Sequence, residues 1–363
     1  MHVVGARPNF MKSAPIIHAL ASQPDEFAQL LVHTGQHYDA NMSQVFFDEL
    51  DLPRPDMNLE VGSGSHAAQT AQVMLRFETL LLAHKPDWIL VPGDVNSTLA
   101  CALVACKLGV KVAHVEAGLR STDRTMPEEI NRLLTDQISD LLLTPSLDGN
   151  ENLLREGIDA AKIHLVGNVM IDTLVKLLPK AAERWPGLAV QFGLSHYVLV
   201  TLHRPSNVDH PATLREIVGA LDEIARSIPV LFPVHPRTRQ RMADSGILPR
   251  SSQLQLAEPL GYLDFLALQT HAALVLTDSG GVQEETTYLG VPCLTARPNT
   301  ERPVTIRQGT NQLVASQRQP LIAAVEQTLA RYQQLDRATL PRPALWDGHA
   351  AERIRAVLRE AGI

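Results

Sequence analysis

The sequence predicts an α/β protein of two domains, each a parallel sheet with helices on both faces. Three observations predict it. Short apolar runs alternate with helix-period segments along the whole chain, which is the rhythm of parallel strands joined by crossover helices. The rhythm occurs twice, in a first and a second half. The apolar runs end in Gly, Asp, Glu or His, at the edge where parallel sheets bind ligands. Together they read as two Rossmann-like domains.

In the first half, the run His2–Val4 enters a turn at Gly5, and Pro15–Gln23 has helical spacing. Gln29–His33 is the next strand run, followed by helical segments at Met42–Leu50 and Ala67–His84. Trp88–Val91 continues to Pro92 and ends in Gly93-Asp94. Ser97–Leu108 is helical. Val110–Val115 then delivers Glu116 to a strand end. Glu128–Ser139 opens behind Pro127, a residue pre-organised for a first helical turn. Leu141–Thr144 and Ile163–Val166 complete the first domain, residues 1–168, which closes at Gly167-Asn168.

The second domain, residues 169–347, begins with a helical segment at Thr173–Arg184. Trp185-Pro186-Gly187 reads as a loop. Its strand runs are Tyr197–Leu202, Val230–Val234, Leu254–Leu256, Ala273–Thr277 and Pro292–Leu294. Its helices are Ala212–Ser227, Tyr262–Thr270, Val282–Leu289 and Pro320–Tyr332. Pro341 to Asp347 breaks the pattern again. The closing helix, Ala350–Glu360 within residues 348–363, is expected to pack back on the first domain.

Composition narrows the function. The chain has 363 residues, of which 45% are hydrophobic, enough for two cores. A net charge of -7 argues against a nucleic-acid surface, which needs clustered Lys and Arg. The cysteines Cys101, Cys106 and Cys293 make no disulfide framework. Cys101 and Cys106 read as small buried residues, and a reducing cytoplasm is the expected location. No apolar run reaches the roughly 18 to 20 residues of a membrane helix, and the N-terminus shows no signal-peptide pattern. No His pair has helix-face ligand spacing, so no metal site is expected.

Several stretches carry possible chemistry. Gly5-Ala6-Arg7-Pro8 follows the first strand, with Lys12 close behind, and two cations there suit a diphosphate. Thr277-Asp278-Ser279-Gly280-Gly281 joins a strand to a helix containing Glu284 and Glu285. Its open backbone N–H groups and helix N-terminus favour a phosphate, and a carboxylate one turn on suits ribose hydroxyls. His203-Arg204 and His235-Pro236-Arg237 end two neighbouring strand runs, where histidine serves proton transfer or phosphate binding. Asp94, Glu116 and Glu128 are candidate proton-transfer acids. Taken singly, Asp94 reads equally as a helix cap and Glu128 as a first-turn acid, whereas Glu116 has no capping duty. His114, inside an apolar strand, reads as a satisfied buried histidine.

Together, Gly5-Ala6-Arg7-Pro8, Gly93-Asp94, His114 to Arg120, Pro127 to Arg132, Gly167-Asn168, Thr201 to Arg204, Pro233 to Pro236, Thr277 to Glu285 and Glu301-Arg302-Pro303 resemble the non-hydrolysing UDP-N-acetylglucosamine 2-epimerases. The pieces run in family order. The resemblance implies a GT-B-like fold with a UDP-sugar in an interdomain cleft, no cofactor or metal, and a homodimer. It implies that Asp94, Glu116, Glu128 and His203 are catalytic. It implies UDP contacts from Ser279, Gly280 and Gly281 to phosphate, Glu285 to ribose and Phe265 near uracil, with Arg7, Lys12, His235 and Arg302 at the diphosphate. The reaction implied is epimerisation at carbon 2 by elimination and re-addition of UDP. Competing readings are a 2-epimerase for a diacetamido-uronic UDP-sugar, a hydrolysing epimerase, a glycosyltransferase of the same architecture and a nucleotide-sugar sensor. A transferase needs fewer acids than the first domain carries.

The chain departs from the family pattern in two places. Family members with an allosteric UDP-sugar site carry Gln-His-Arg at the second strand end, where this chain has Gln36-His37-Tyr38 followed by Met42-Ser43-Gln44. The arginine usual after the catalytic His-Arg is also replaced, giving His203-Arg204-Pro205-Ser206. A tyrosine hydroxyl cannot replace a guanidinium fork at a diphosphate. The effector site is therefore expected to be absent or weak. Saturation with the manno-configured UDP-sugar alone should be hyperbolic and without a lag; a sigmoidal curve, or a lag abolished by a trace of the gluco epimer, would refute this reading of Tyr38.

Overall fold

A computed structural model describes residues 1–35 and 49–362. Gln36, His37, Tyr38, Asp39, Met42, Ser43 and Gln44, with nearly all of the helix expected at Met42–Leu50, lie outside them. The chain divides into two compact units, Met1–Val175 with Ala344–Ile363, and Lys176–Pro343.

The first unit holds strands β1 (His2–Val4), β2 (Leu31–His33), β3 (Met57–Asn58), β4 (Trp88–Pro92), β5 (Lys111–Val115), β6 (Leu141–Thr144) and β7 (Ile163–Leu165). Their order is β3-β2-β1-β4-β5-β6-β7, and each pairing is parallel. The interleaved helices are α1 (Arg7–Ala21), α2 (His66–His84), α3 (Asn96–Lys107), α4 (Pro127–Ile138) and α5 (Leu147–Arg155). Alternate residues of β4 feed opposite cores. Ile89 and Val91 join Val73 and Phe77 of α2 and Val104 of α3. Trp88 and Leu90 join Ile16 and Leu20 of α1.

The second unit holds β8 (Val198–Thr201), β9 (Val230–Pro233), β10 (Leu254–Ala257), β11 (Leu274–Thr277), β12 (Cys293–Thr295) and β13 (Asn311–Leu313), in the order β10-β9-β8-β11-β12-β13. After α6 (Val169–Phe192), which runs into this unit, its helices are α7 (Pro205–Val208), α8 (Pro211–Ile224), α9 (Pro236–Asp244), α10 (Tyr262–His271), α11 (Gly280–Leu289), α12 (Val304–Arg307) and α13 (Arg318–Tyr332). Ile217 and Leu221 of α8 and Leu321 and Val325 of α13 pack on Val198, Val200, Leu274 and Leu276.

Four local expectations need correction. The first helix starts at Arg7, not Pro15, because Pro8 sits in its first turn and Asn9 Oδ1 accepts the Gly5 and Ala6 N–H groups at 3.2 and 3.0 Å. Trp185-Pro186-Gly187 is not a loop, since α6 runs through it. A buried stripe of Leu174, Leu177, Ala181 and Leu188 continues past Pro186, and Trp185 stacks on His271 with ring centroids 4.0 Å apart. This packing outweighs the N–H that Pro186 lacks. The division between the units consequently falls inside α6, after Val175, rather than at residue 168. Cys106 is exposed, whereas Cys101 is buried.

The helix α14 (Ala350–Glu360) places Ile354 and Leu358 in the core formed by α1, β4 and β5. Asp172 of α6 starts it, accepting from Ala350 N at 3.1 Å and Ala351 N at 2.7 Å. Removing such a cap costs about 0.5–2 kcal/mol. Asp172→Ala should lower unfolding stability by that amount in urea titrations; an unchanged midpoint would contradict the capping role.

Candidate active site

Ligands bind a parallel sheet where the strand order reverses. In the first unit this point lies between β1 and β4, and the side chain of Asn9 spans it. Asn9, already holding Gly5 and Ala6, donates from Nδ2 to the Pro92 carbonyl at 2.9 Å. Thr34, at the end of β2, shares a 2.7 Å hydrogen bond with Ser97 of α3.

β4 and β5 end side by side, with Pro92 paired to Val115. Gly93-Asp94 and Glu116 therefore leave neighbouring strands. Glu116 is buried and has φ 72°, a left-handed conformation costly for a residue with a side chain. Its carboxylate pairs with Lys12. A Cβ on Gly93 would stand 2.8 Å from Lys12 Nζ, so glycine keeps room for that pair. The structure buries Lys12, expected at the diphosphate, beside Glu116 and the Gly93 turn.

Helix α4 brings the third acid. Glu128 and Glu129 lie in its first turn, but only Glu129 is buried. Glu129 accepts the Ser121 and Thr122 N–H groups at 2.9 and 2.8 Å and pairs with Arg132 at 2.6 Å. Arg132 also grips Asp94, with Nε at 2.9 Å and a terminal nitrogen at 2.6 Å. Asp94 is thus an ion-pair partner of α4, not the cap of α3, whose N-cap is Val95. The side chain of Glu128 makes no hydrogen bond or ion pair among the described residues. Arg7 is the first residue of α1.

In the second unit the order reverses between β8 and β11. Here Asp278, at the end of β11, spans the point. Its buried carboxylate accepts from His203 N at 3.0 Å, Arg204 N at 2.9 Å and Asn207 Nδ2 at 3.0 Å. It also meets His203 Nδ1 at 3.0 Å. Burial pushes this carboxyl up, but the hydrogen bond and charge of His203, with Asn207 and Arg204, hold it below the ordinary carboxylate range. The side chain of His203 is 49% exposed, so its other nitrogen faces outward while Asp278 fixes the ring. His235 ends the next strand as the N-cap of α9. Partial burial and the charges of His203 and Arg237 lower its pKa. Sequence reading passed over Asp278, although its place before Ser279-Gly280-Gly281 at a strand end was a usable signal.

The expected UDP residues surround α11. Ser279 is its N-cap, with no side-chain capping bond, and Gly280 and Gly281 open its first turn. A Cβ on Gly280 would come 2.5 Å from the Arg302 guanidinium, which therefore requires glycine there. Arg302 pairs with Glu284 at 3.0 Å and approaches Glu301 at 3.5 Å. Glu301 in turn holds Arg297 at 2.7 Å. Glu285 is buried and accepts from Tyr262 Oη at 2.9 Å. Phe265 lies one turn further along α10, half-buried. No cluster of three metal-ligating side chains occurs among the described residues.

A family profile described as UDP-N-acetylglucosamine 2-epimerase matches residues 18–359. The chain belongs to this family. The UDP-N-acetylglucosamine 2-epimerase of Methanocaldococcus jannaschii is 46% identical over 333 residues, covering 89% of this chain and 90% of the relative. A crystal structure of the M. jannaschii epimerase in complex with UDP-GlcNAc and UDP superposes with a TM-score of 0.89 at 44% identity, covering 99% of each chain. The UDP-2,3-diacetamido-2,3-dideoxy-D-glucuronate 2-epimerase of Pseudomonas aeruginosa is 43% identical over 91% of this chain and 92% of its own length. The 2-epimerase family thus matches on sequence and on both Rossmann-like units.

With four donors gathered on Asp278, a carboxamide there must turn its own N–H₂ toward one of them. Asp278→Asn should lose about 1–3 kcal/mol in urea unfolding. A variant as stable as the parent would show that the carboxylate is not what holds the turn after β8 to the end of β11.

Proposed function

We propose that the protein interconverts UDP-N-acetylglucosamine and UDP-N-acetylmannosamine by inversion at carbon 2. The observation that carries this reading is the pair of carboxylates Asp94 and Glu116 beyond the adjacent ends of β4 and β5, with Asp94 held by Arg132 of α4, the helix that also bears Glu128, in a chain of this family. The carbon 2 proton is not adjacent to a carbonyl. Departure of UDP from carbon 1 builds positive charge beside it and makes it removable. Elimination gives 2-acetamidoglucal and UDP, and re-addition with protonation from the other face gives the epimer.

The roles divide between the units. Asp94, Glu116 and Glu128 of the first unit handle the proton. Lys12 pairs with Glu116 and fixes its place. Arg132 holds Asp94 still, and Glu128 remains open to a ligand. Ser279, Gly280, Gly281 and Glu285 hold UDP, with Phe265 near the base. His203, oriented by Asp278, and His235, Arg7 and Arg302 stabilise negative charge on the departing diphosphate. No cofactor or metal enters the scheme. A homodimer in the cytoplasm, supplying surface-polysaccharide precursors, completes the proposal.

A second reading has specific support. The diacetamido-glucuronate 2-epimerase is nearly as similar as the N-acetylglucosamine enzyme. The same elimination would serve that sugar.

Proton NMR in deuterated water tests both. Product formed from UDP-N-acetylglucosamine should carry deuterium at carbon 2, and Glu116→Gln should slow this exchange by about 100-fold or more. Full retention of the original proton would sink the mechanism. Turnover of the diacetamido-uronic sugar alone would favour the second reading.

A further inference from the structure

One group of buried charges has no part in the scheme above. His114, within β5, is fully buried, and both of its ring nitrogens face acceptors. Nδ1 lies 2.6 Å from Asp136 Oδ1, and Nε2 lies 2.7 Å from the Gly93 carbonyl. A carbonyl cannot donate, so Nε2 carries hydrogen. Asp136 also accepts the Gly118 N–H at 3.1 Å and pairs with Arg120 at 2.7 Å. Both of these donors sit on Oδ2, and the Arg120 charge beside it keeps the group a carboxylate, so Oδ1 accepts from Nδ1, which carries hydrogen too. Burial pushes this carboxyl up, but His114 and Arg120 more than reverse that and hold it low. Arg120 continues to Glu156 through two bonds of 2.7 and 2.6 Å. The row His114, Asp136, Arg120, Glu156 alternates in sign and sums to zero, which makes burying it tolerable.

The row touches both acid-bearing turns. At one end it holds the carbonyl of Gly93, next to Asp94. At the other it holds the N–H of Gly118, two residues past Glu116. Gly93, Glu116 and Gly118 all have left-handed backbone, with φ of 70°, 72° and 81°. Such conformations persist only where their surroundings over-determine them. Gly118 has no slack, since a Cβ there would stand 2.5 Å from the Gly149 carbonyl.

We infer that His114 and Asp136 are a positioning pair, an imidazolium and a carboxylate that hold the Asp94 and Glu116 turns in fixed relation. The inference rests on the proposed roles of those acids. Neither residue touches substrate; they act on the rate through the placement of the acids. Misplacement of a reacting group by about 1 Å costs about 100-fold in rate.

Two amides separate the two hydrogen bonds. In His114→Asn the amide reaches the Nδ1 position, keeping Asp136 and losing Gly93. In His114→Gln it reaches the Nε2 position and keeps Gly93. His114→Asn should lose about 100-fold in kcat for carbon 2 exchange, with KM and calorimetric UDP affinity within about twofold. His114→Gln should recover about tenfold of that loss. A folded His114→Asn with parental kcat, or equal losses of kcat and UDP affinity in both variants, would overturn the inference. If His114→Asn does not fold, Asp136→Asn must show the same split between kcat and UDP affinity. Ring nitrogen NMR of the parent at neutral pH should show two N–H groups on His114, its signals assigned by their absence in His114→Gln. A single N–H overturns the pair whether or not the protein epimerises UDP-N-acetylglucosamine, so this failure is distinct from failure of the proposed reaction.

Discussion

Where the order of a parallel sheet reverses, two adjacent strands run on into different helices and leave a crevice beyond their ends. In each unit a buried polar side chain spans it. Asn9 joins the turn after β1 to the end of β4, and Asp278 joins β11 to the turn after β8. Much of the rest depends on these two residues. Without Asn9 the Gly5 turn has no fixed distance from Gly93-Asp94. Without Asp278 neither the backbone nor the ring of His203 is set. Buried groups of this kind add little net stability when satisfied and cost much when left half-paired. Their effect is to make one geometry far better than its neighbours.

Helix α4 extends the same logic. Glu129, Arg132 and Asp136 follow one another along its buried side, at spacings of three and four residues. Each holds a different part of the first unit: the Ser121–Thr122 backbone, Asp94, and the Glu116–Gly118 turn with His114. The helix that carries Glu128 is therefore docked by ionic and hydrogen-bonded contacts rather than by an apolar stripe. That explains how a helix with so few buried hydrophobic residues is held in place. Movement of α4 would disturb all three candidate acids together.

The strands were legible because a parallel strand covered on both faces is apolar at every position. Trp88–Val91 and Leu141–Thr144 differ from β4 and β6 by at most one residue. The strand-end acids were legible for the same reason, since a carboxylate at the end of such a run has no packing duty. What escaped were side chains whose partners lie far along the chain. Asp278 acts on residues about 75 positions earlier, and its strand-end place before Ser279-Gly280-Gly281 marks it as a candidate without telling a helix cap from a cross-sheet tie. The pairing of Lys12 with Glu116 escaped as well, because no local pattern links the two residues. Helices α5 and α9 were missed outright. α9 is polar and arginine-rich, with only Thr238 and Met242 buried, so its periodicity carries almost no signal. At Trp185-Pro186-Gly187 the turn residues were real, but long-range burial of the α6 stripe prevailed.

The return of α14 to the first unit has a consequence for how the chain is made. The first unit is assembled from both ends of the polypeptide, and Ile354 and Leu358 belong to the same core as Ile16 and Leu20. The second unit is complete in sequence by Pro343. During synthesis from the N-terminus, the earlier-made unit must wait for the last helix to leave the ribosome, while the later-made one has all its residues first. Domains fold as they become complete. The unit bearing Asp94, Glu116 and Glu128 is therefore the last to close, and a nascent chain stopped short of α14 would expose the apolar faces of α1, β4 and β5.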